Sequence, residues 1–217
     1  MIKNPDYISK FWEKKILMWE TLRYSNWLIL YPLSWTVRSR LNRSFNIIKK
    51  RVEPSWSVLE LGCGSGVLAK KIYKLFASYQ GVDFAKNAIE SAKIKIDSPN
   101  VNFIASNVLD ITYEEYNLTI FLGLTDWLDE SQMLKLFNKI NSPNILFSYT
   151  ETRAVSKINP YWYYRKFMDR DIGENSYKAR TYTHDFICNL LQSRGYTLNI
   201  IESSTLFNPG AIVWAKK

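Results

Sequence analysis

Cysteine and histidine are scarce in this 217-residue chain. Cys63 and Cys188 lie far apart in the sequence, and His184 is the single histidine. Two separated thiols supply neither a disulfide framework nor the ligand spacing of a zinc site. The composition therefore predicts no metal site and favours a reducing compartment.

Long apolar runs are also missing. The stretch "WLILYPLSW" at 27–35 contains a proline and is far shorter than the roughly 20 residues that a membrane-spanning helix needs. The N-terminal "MIKNPDYISKFWEKK" lacks the early apolar core and the small-residue cleavage site of a secretory signal. We therefore expect a cytoplasmic protein that is soluble.

Acidic residues are few near the N-terminus, where positive charge and tryptophan are concentrated. Residues 1–51 contain 11 lysines and arginines against three acids, whereas the rest of the chain is almost neutral. The same segment holds four of the eight tryptophans, Trp12, Trp19, Trp27 and Trp35. The chain therefore combines a basic, aromatic N-terminal segment with a nearly neutral remainder.

The hydrophobic pattern changes from helical spacing to alternating strands and helices near residue 56. The length suits one domain with a full core. Helices are predicted at 6–31, 34–51, 66–77, 85–96, 130–140 and 183–195, and strands at 57–61, 79–84, 101–106, 116–123, 144–150, 196–203 and 205–216. Such alternation is typical of an α/β fold, here a seven-stranded, mostly parallel, doubly wound sheet with helices on both faces. The last two strands have no helix between them, so they should form an antiparallel pair at one edge, with the last strand antiparallel to the sheet.

Three glycines follow the first predicted strand in "VLELGCGSGVLAKK" (58–71). Gly62, Gly64 and Gly66 give the spacing G-x-G-x-G, which is neither the dinucleotide fingerprint nor a phosphate loop. Glycines at the carboxyl end of a parallel strand let the backbone approach a ligand closely. Asp83 ends the next strand, where a carboxylate can accept hydrogen bonds from both ribose hydroxyls. The two positions together predict a nucleoside ligand.

The ordered set of segments resembles the class I S-adenosylmethionine-dependent methyltransferases over about residues 56–150. "VLELGCGSG" is similar to their first motif, "GVDFA" to their second and "FIASNVLD" to their third. The resemblance implies a Rossmann-like methyltransferase domain at 52–217, with a substrate cover inserted at 151–182. Residues 1–51 would be an N-terminal helical lid.

The resemblance also implies roles for individual residues. Asp83 would hold the ribose, Phe84 would pack on the adenine, and Val108 would offer its amide to that ring. Asn107 stands where the family usually has Asp, and its amide oxygen can still accept a bond from the adenine amino group. The methionine part would be lined by Glu60, Gly62, Cys63, Gly64 and Gly66, with Leu122 and Gly123 near its amino group and Trp19, Arg23 and Tyr24 near its carboxylate. Cys63 is interpreted as a small loop residue, not as a nucleophile.

The methyl acceptor is less well defined. Methylation of exocyclic amino groups uses an Asn/Asp-Pro-Pro-aromatic stretch after the fourth strand, where this chain has "GLTDWL" (123–128). Carbon-5 methylation of pyrimidines uses a Pro-Cys nucleophile, and neither cysteine follows a proline. Transfer to an oxygen of a small molecule, glycan or lipid-linked compound is favoured. The alternatives are an RNA-directed methyltransferase and a catalytically silent nucleoside-binding or membrane-associated module.

Two residues are candidate general bases, Asp126 after the fourth strand and His184 at a helix start. Asp126 has the alternative role of capping the helix near 129, and His184 that of a structural residue. The segment 151–182 would supply an aromatic, basic wall or a packed surface loop. Its candidate wall residues are Tyr161, Trp162, Tyr163, Tyr164, Arg165, Arg180 and Tyr182.

Three interpretations of residues 1–51 remain open. They can close over the cofactor as a lid, attach to an anionic membrane through lysine, arginine and tryptophan, or bind nucleic acid. The lid is favoured, and nucleic acid is the least favoured partner.

Overall fold

The computed structural model describes residues 5–24, 32–152, 180–202 and 210–217. The seven strands are β1 Ser57–Leu61, β2 Ser78–Asp83, β3 Val101–Ala105, β4 Leu118–Phe121, β5 Asn144–Thr150, β6 Thr197–Glu202 and β7 Gly210–Lys216. The helices are α1 Pro5–Tyr24, α2 Pro32–Arg51, α3 Ala69–Ile72, α4 Lys86–Lys95, α5 Glu130–Lys139 and α6 His184–Gln192. Short 3₁₀ turns occupy Tyr73–Leu75 and Thr125–Trp127.

The strands form one sheet in the order β3-β2-β1-β4-β5-β7-β6. The first five strands are parallel, and β7 runs antiparallel to both β5 and β6. The predicted seven-stranded, doubly wound fold with an antiparallel last strand is therefore confirmed. The last strand is internal, since β7 lies between β5 and β6 and β6 forms the edge.

The two faces of the sheet carry separate cores, because side chains alternate along each strand. Leu59, Leu61 and Phe147 pack with α5 and α6 on one face. Val58, Ile120 and Leu146 pack with α2, α3 and α4 on the other. Strands buried on both faces need apolar residues at successive positions, as in β5, where every residue is buried.

The helix after the glycine loop is shorter than predicted. Instead of one helix over 66–77, a single α-helical turn at α3 leads into the 3₁₀ turn Tyr73–Leu75. This segment has three lysines and no acid to pair with them, so it lacks stabilising i,i+4 pairs. The Ala77 amide also bonds the Trp56 carbonyl at 3.0 Å, which draws the chain into extended conformation before β2.

The N-terminal helices differ in their packing. α2 begins at Pro32, which is tolerated in a first turn, and buries Leu41, Ile47 and Ile48 in the sheet core. α1 ends at Tyr24, so the rest of the helix predicted to residue 31 lies outside the described residues. No helix within the four described ranges is long and apolar enough to cross a membrane.

Candidate functional site

The glycine loop is held against the end of β2. The amides of Gly62 and Cys63 both donate to the Val82 carbonyl, at 2.8 and 3.1 Å. Gly62, Gly64 and Gly66 all have positive φ, which glycine adopts without steric cost. The loop therefore crosses from β1 toward α3 in a conformation that the three glycines make accessible.

Asp83 connects this loop to the start of α4. Its two carboxylate oxygens accept from the amides of Gly64 and Ala85, at 2.9 and 3.0 Å. Burial raises the pKa of Asp83 to about 6, against the opposite effect of these two amides. Each oxygen keeps an unused lone pair, so the predicted ribose contact is compatible with this position and stays a prediction.

Glu60 is a second buried acid beside the loop. It accepts a hydrogen bond from the Tyr79 hydroxyl. Burial raises its pKa to about 8, the Tyr79 bond opposes the shift, and the Asp83 and Glu20 carboxylates add to it. Burial also raises the pKa of the Cys63 thiol, which is the wrong direction for a nucleophile and fits its interpretation as a loop residue.

Helix α1 covers the loop with an acid that the sequence analysis did not single out. Glu20 accepts from the Ser65 amide at 3.0 Å and from the Ser65 hydroxyl. A side chain at position 64 would meet the Glu20 carboxylate, so the loop and α1 touch directly there. Lys95 of α4 donates to the same serine, at 3.1 Å to its carbonyl and also to its hydroxyl.

Glu13, two turns earlier on α1, makes a matching contact. Its carboxylate accepts from the Asn87 amide in the first turn of α4 at 3.0 Å, where a negative charge is favoured. The seven-residue spacing places Glu13 and Glu20 on one face of the helix. That spacing was visible in the sequence, but only the fold shows which amides they reach.

The aromatic residues of α1 form a cluster over Phe84. Trp12 and Trp19 are buried here with ring centroids 5.2 Å apart, and Trp12 meets Trp127 edge to face at 4.7 Å. Trp19 thus lies on the predicted adenine side of the site, and Tyr24 packs against the core near α2. Arg23 lies outside the residues whose side chains the structure describes.

Asn107 and Val108 follow β3 as predicted. The Asn107 Oδ1 accepts from the Leu109 amide at 2.9 Å, and this bond shapes the local turn. Val108 is buried in the core on the α5 face. Their adenine contacts remain predictions.

The end of β4 forms the other side of the site. Leu122 packs on the α2 face, and the Gly123 amide donates to the Ser148 hydroxyl at 3.0 Å. Asp126 accepts from the Thr150 hydroxyl at 2.9 Å. The alternative role of Asp126 as a helix cap is wrong, because Asp129 caps α5 in a capping box with Gln132.

His184 and Asp126 contact neighbouring residues of β5. The His184 Nδ1 lies 2.7 Å from the Tyr149 hydroxyl, while Asp126 is bonded to Thr150, the next residue of β5. Successive residues of a strand project to opposite faces, so the two candidate bases are held by side chains from different faces of β5. Thr183 caps the helix that His184 begins, as its side chain accepts from the Phe186 amide at 3.2 Å.

The predicted substrate wall is described only in part. Residues 153–179, with five of its seven candidates, lie outside the described residues. Arg180 is exposed, and its amide donates to the Asp126 carbonyl at 2.6 Å. Tyr182 is not a wall residue, because its ring is buried in the core and its hydroxyl bonds the Leu128 carbonyl.

Comparison with known proteins agrees with this geometry. A family model described as a methyltransferase domain matches residues 58–142, from β1 through the glycine loop to the segment before β5. The chain therefore carries a methyltransferase domain of the class I S-adenosylmethionine-dependent type. S-adenosylmethionine is accordingly its cofactor.

Two curated relatives are both called malonyl-[acyl-carrier protein] O-methyltransferase. The protein from Ilyobacter polytropus is 36% identical over 91 residues, 40% of this chain and 33% of its own length. The protein from Bacillus cereus is 25% identical over 190 residues, 83% of this chain and 71% of its own length. The chain thus spans only about a third of the first relative.

Magnesium protoporphyrin IX methyltransferase from Synechocystis PCC 6803, solved with bound S-adenosylhomocysteine, shares the fold. The two chains superpose with a TM-score of 0.77 at 14% identity, over 99% of this chain and 100% of the other. The agreement extends beyond the matched domain to the N-terminal helices and the closing strands.

The acids of this methyltransferase fit its cofactor. Glu20, Glu60 and Asp83 converge on the glycine loop, and S-adenosylmethionine carries positive charge on its sulfonium and ammonium groups. A cation beside Glu60 and Asp83 favours their ionised forms and offsets the burial that raises their pKa values. The chain's own residues therefore offer the cofactor a complementary, partly desolvated environment.

Proposed function

We propose that this chain transfers a methyl group from S-adenosylmethionine to an oxygen of a small-molecule or carrier-linked acceptor. The contact of Trp12 with Trp127 carries this proposal, because it places α1 across the carboxyl end of β4. An acceptor must reach the reacting carbon beneath this helix. A slender ligand suits that restricted space better than a nucleic-acid duplex does.

The names of the two curated relatives support the same acceptor class. Both are O-methyltransferases that act on a malonyl group carried by a protein. A malonyl group ends in a carboxyl oxygen on a short, flexible chain, which is the slender kind of acceptor proposed for the space beneath α1. For the present chain we propose the same class of acceptor and do not name one compound.

The cofactor supplies an activated methyl group together with its own leaving group. The protein's part is to bind both ligands, align them and exclude water. For a hydroxyl acceptor, Asp126 or His184 would also take a proton. Within the described residues, Thr150 orients Asp126 and Tyr149 orients His184.

Titration calorimetry with S-adenosylmethionine and S-adenosylhomocysteine tests the cofactor half of the proposal. We expect micromolar binding that Asp83→Ala weakens and that the matched exposed control, Asp97→Ala, leaves unchanged. The enzyme proposal fails if neither ligand binds and Asp83→Ala has no effect.

Transfer of a labelled methyl group tests the acceptor half. Malonyl-[acyl-carrier protein], small carboxylic acids, phenols and transfer RNA would be offered in parallel. We expect label on a carboxyl or hydroxyl compound. Label on RNA alone would favour the RNA-directed alternative, and cofactor binding without any transfer would favour a silent nucleoside-binding module.

A peripheral contact with an anionic membrane is a separate proposal for residues 1–51. Lys49, Lys50 and Arg51 are exposed in the last turn of α2, where each cation would contribute about 1 kcal/mol at an anionic surface. Flotation with phosphatidylserine vesicles is expected to fall when all three are changed to glutamine. Equal flotation of this triple variant and the unchanged chain would contradict the contact.

A further inference from the structure

Arg40 of α2 lies directly against the end of β4. A Cβ added at Gly123 would be 2.8 Å and 3.1 Å from the two terminal nitrogens of the Arg40 guanidinium. Gly123 also has a φ of +76°, so both its conformation and its surroundings require glycine. The missing side chain at Gly123 makes the space in which this planar cation lies.

The fold holds Arg40 at this place. The residues after it on the same helix, Leu41, Ser44 and Ile48, are buried, and Leu41 and Ile48 pack in the sheet core. The residue after Gly123, Leu124, would contact a side chain at Gly62 at 3.4 Å. Arg40 therefore lies where the end of β4 contacts the glycine loop.

Arg40 is half-buried, yet its charge is not balanced locally. Among the residues that the structure describes, no carboxylate, carbonyl or hydroxyl bonds its guanidinium, whereas Arg38 and Arg43 of the same helix do interact with neighbours. A guanidinium that has lost part of its hydration favours a bidentate anion. Two acids of the glycine-loop region, Glu60 and Asp83, are engaged with Tyr79 and with backbone amides.

We propose that Arg40 binds a ligand carboxylate at the methyl-transfer site. This inference rests on the proposed function. The carboxylate belongs either to the acceptor or to the amino-acid end of the cofactor, and the chemistry of recognition is the same. In the first case, a carboxylate oxygen forms the new bond to the methyl carbon as the carbon–sulfur bond breaks. The electron pair of that bond stays on sulfur, and no proton needs to be removed because the acceptor is already ionised.

Calorimetry tests whether the bound carboxylate belongs to the cofactor. The variants are Arg40→Gln and Arg40→Lys, and the control is the exposed Lys50→Gln of the same helix. S-adenosylhomocysteine is compared with methylthioadenosine, which has the nucleoside and thioether but no carboxylate. If Arg40 holds the cofactor, Arg40→Gln weakens S-adenosylhomocysteine by about tenfold to a hundredfold, the usual range for a hydrogen bond to a charged group. Methylthioadenosine would bind all variants equally, and Arg40→Lys would recover part of the loss.

The acceptor source is tested with malonate added to the S-adenosylhomocysteine complex. If Arg40 holds the acceptor, Arg40→Gln weakens malonate by about tenfold or more and leaves S-adenosylhomocysteine unchanged. Circular dichroism and thermal unfolding confirm that each variant is folded.

The inference is overturned if S-adenosylhomocysteine binds Arg40→Gln and Lys50→Gln equally and malonate either fails to bind or binds both equally. That result differs from failure of the proposed function, in which S-adenosylhomocysteine does not bind the unchanged chain.

Discussion

Glu60 shows how one residue links stability to pH. Its pKa is raised from 4.5 to about 8, so the folded state holds a proton that the unfolded state releases at lower pH. The resulting stabilisation is fully present below about pH 4.5 and is lost as the pH rises through about 8. This is the reverse of the trend that a salt-bridged carboxylate produces.

Glu60→Gln is therefore expected to flatten the pH dependence of stability. Glutamine keeps an acceptor for the Tyr79 hydroxyl and cannot ionise. The variant should match the unchanged protein near pH 5 and exceed it at pH 8 and above. Urea unfolding across this range measures the difference, and the exposed Glu53→Gln is the control. A constant difference between Glu60→Gln and the unchanged protein would contradict the assignment.

The two candidate bases carry a second prediction at the residue scale. A carboxylate acceptor has no proton to lose, so we expect neither Asp126→Asn nor His184→Gln to lower kcat by more than about tenfold. Loss of a true general base typically costs about 10² to 10⁴ in rate. Single-turnover rates measured across a range of pH distinguish a general base from a structural residue. Replacement of a general base removes the acid limb of the pH–rate profile, whereas replacement of a structural residue does not.

At the scale of elements, α1 is attached through side chains that reach several different segments. Glu13 and Glu20 bond amides at α4 and at the glycine loop, and Trp12 packs on Trp127. The helix has only a weak apolar stripe of its own, so its position depends on these contacts.

Trp12→Ala should loosen α1 without unfolding the sheet. Truncation of a buried tryptophan costs about 3 to 5 kcal/mol where the site cannot collapse. We expect faster hydrogen exchange of α1 amides and unchanged exchange in β1 and β4. Met18→Ala, at a side chain that is 45% exposed on the same helix, is the control. Equal exchange in both variants would show that α1 is held by other contacts.

The cap of α5 allows a second prediction at this scale. The Asp129 carboxylate accepts from the Gln132 backbone amide at 2.9 Å. In return, the Asp129 backbone amide donates to the Gln132 side-chain Oε1, also at 2.9 Å. Asp129→Ala should lower the free energy of unfolding by about 1 kcal/mol. Lys135→Ala, an exposed change on the same helix, should have little effect, and chemical denaturation compares the two.

At the scale of the whole molecule, the predicted boundary at residue 51 divides elements that share a core. Leu41, Ile47 and Ile48 of α2 are buried with strand residues of the sheet. Each such side chain contributes about 1.5 to 3 kcal/mol, which together is a large part of a typical domain stability. Within the described residues, the buried side chains of α1 instead pack with Ala85 and Ala88 in a third cluster, although Tyr24 packs against the second sheet core.

Two truncations test this division. Removal of residues 1–24 should leave a cooperatively folded chain with weaker cofactor binding, whereas removal of residues 1–51 should abolish the cooperative thermal transition. Circular dichroism and calorimetry with S-adenosylhomocysteine measure both effects. A stable, cofactor-binding product of the longer truncation would support the predicted boundary at residue 51.

The sequence by itself determined the element order, the parallel sheet with an antiparallel last strand, the glycine loop and Asp83. These follow from alternation along strands and from local turn chemistry, which depend on neighbouring residues. The sequence pattern predicted too long a helix after the glycine loop. The Ala77 amide instead bonds the carbonyl of Trp56, which precedes β1, and a local pattern does not predict such a contact.

Only the tertiary structure decided which side chains meet. Glu20 reaches Ser65 over 45 residues and Glu13 reaches Asn87 over 74, and no local pattern encodes such contacts. The fold also placed Asp126 beside Thr150 and His184 beside Tyr149, and it placed Arg40 in the space that Gly123 leaves. Such contacts arise when separate elements pack together, so one sequence read alone specifies the surfaces but not their pairing.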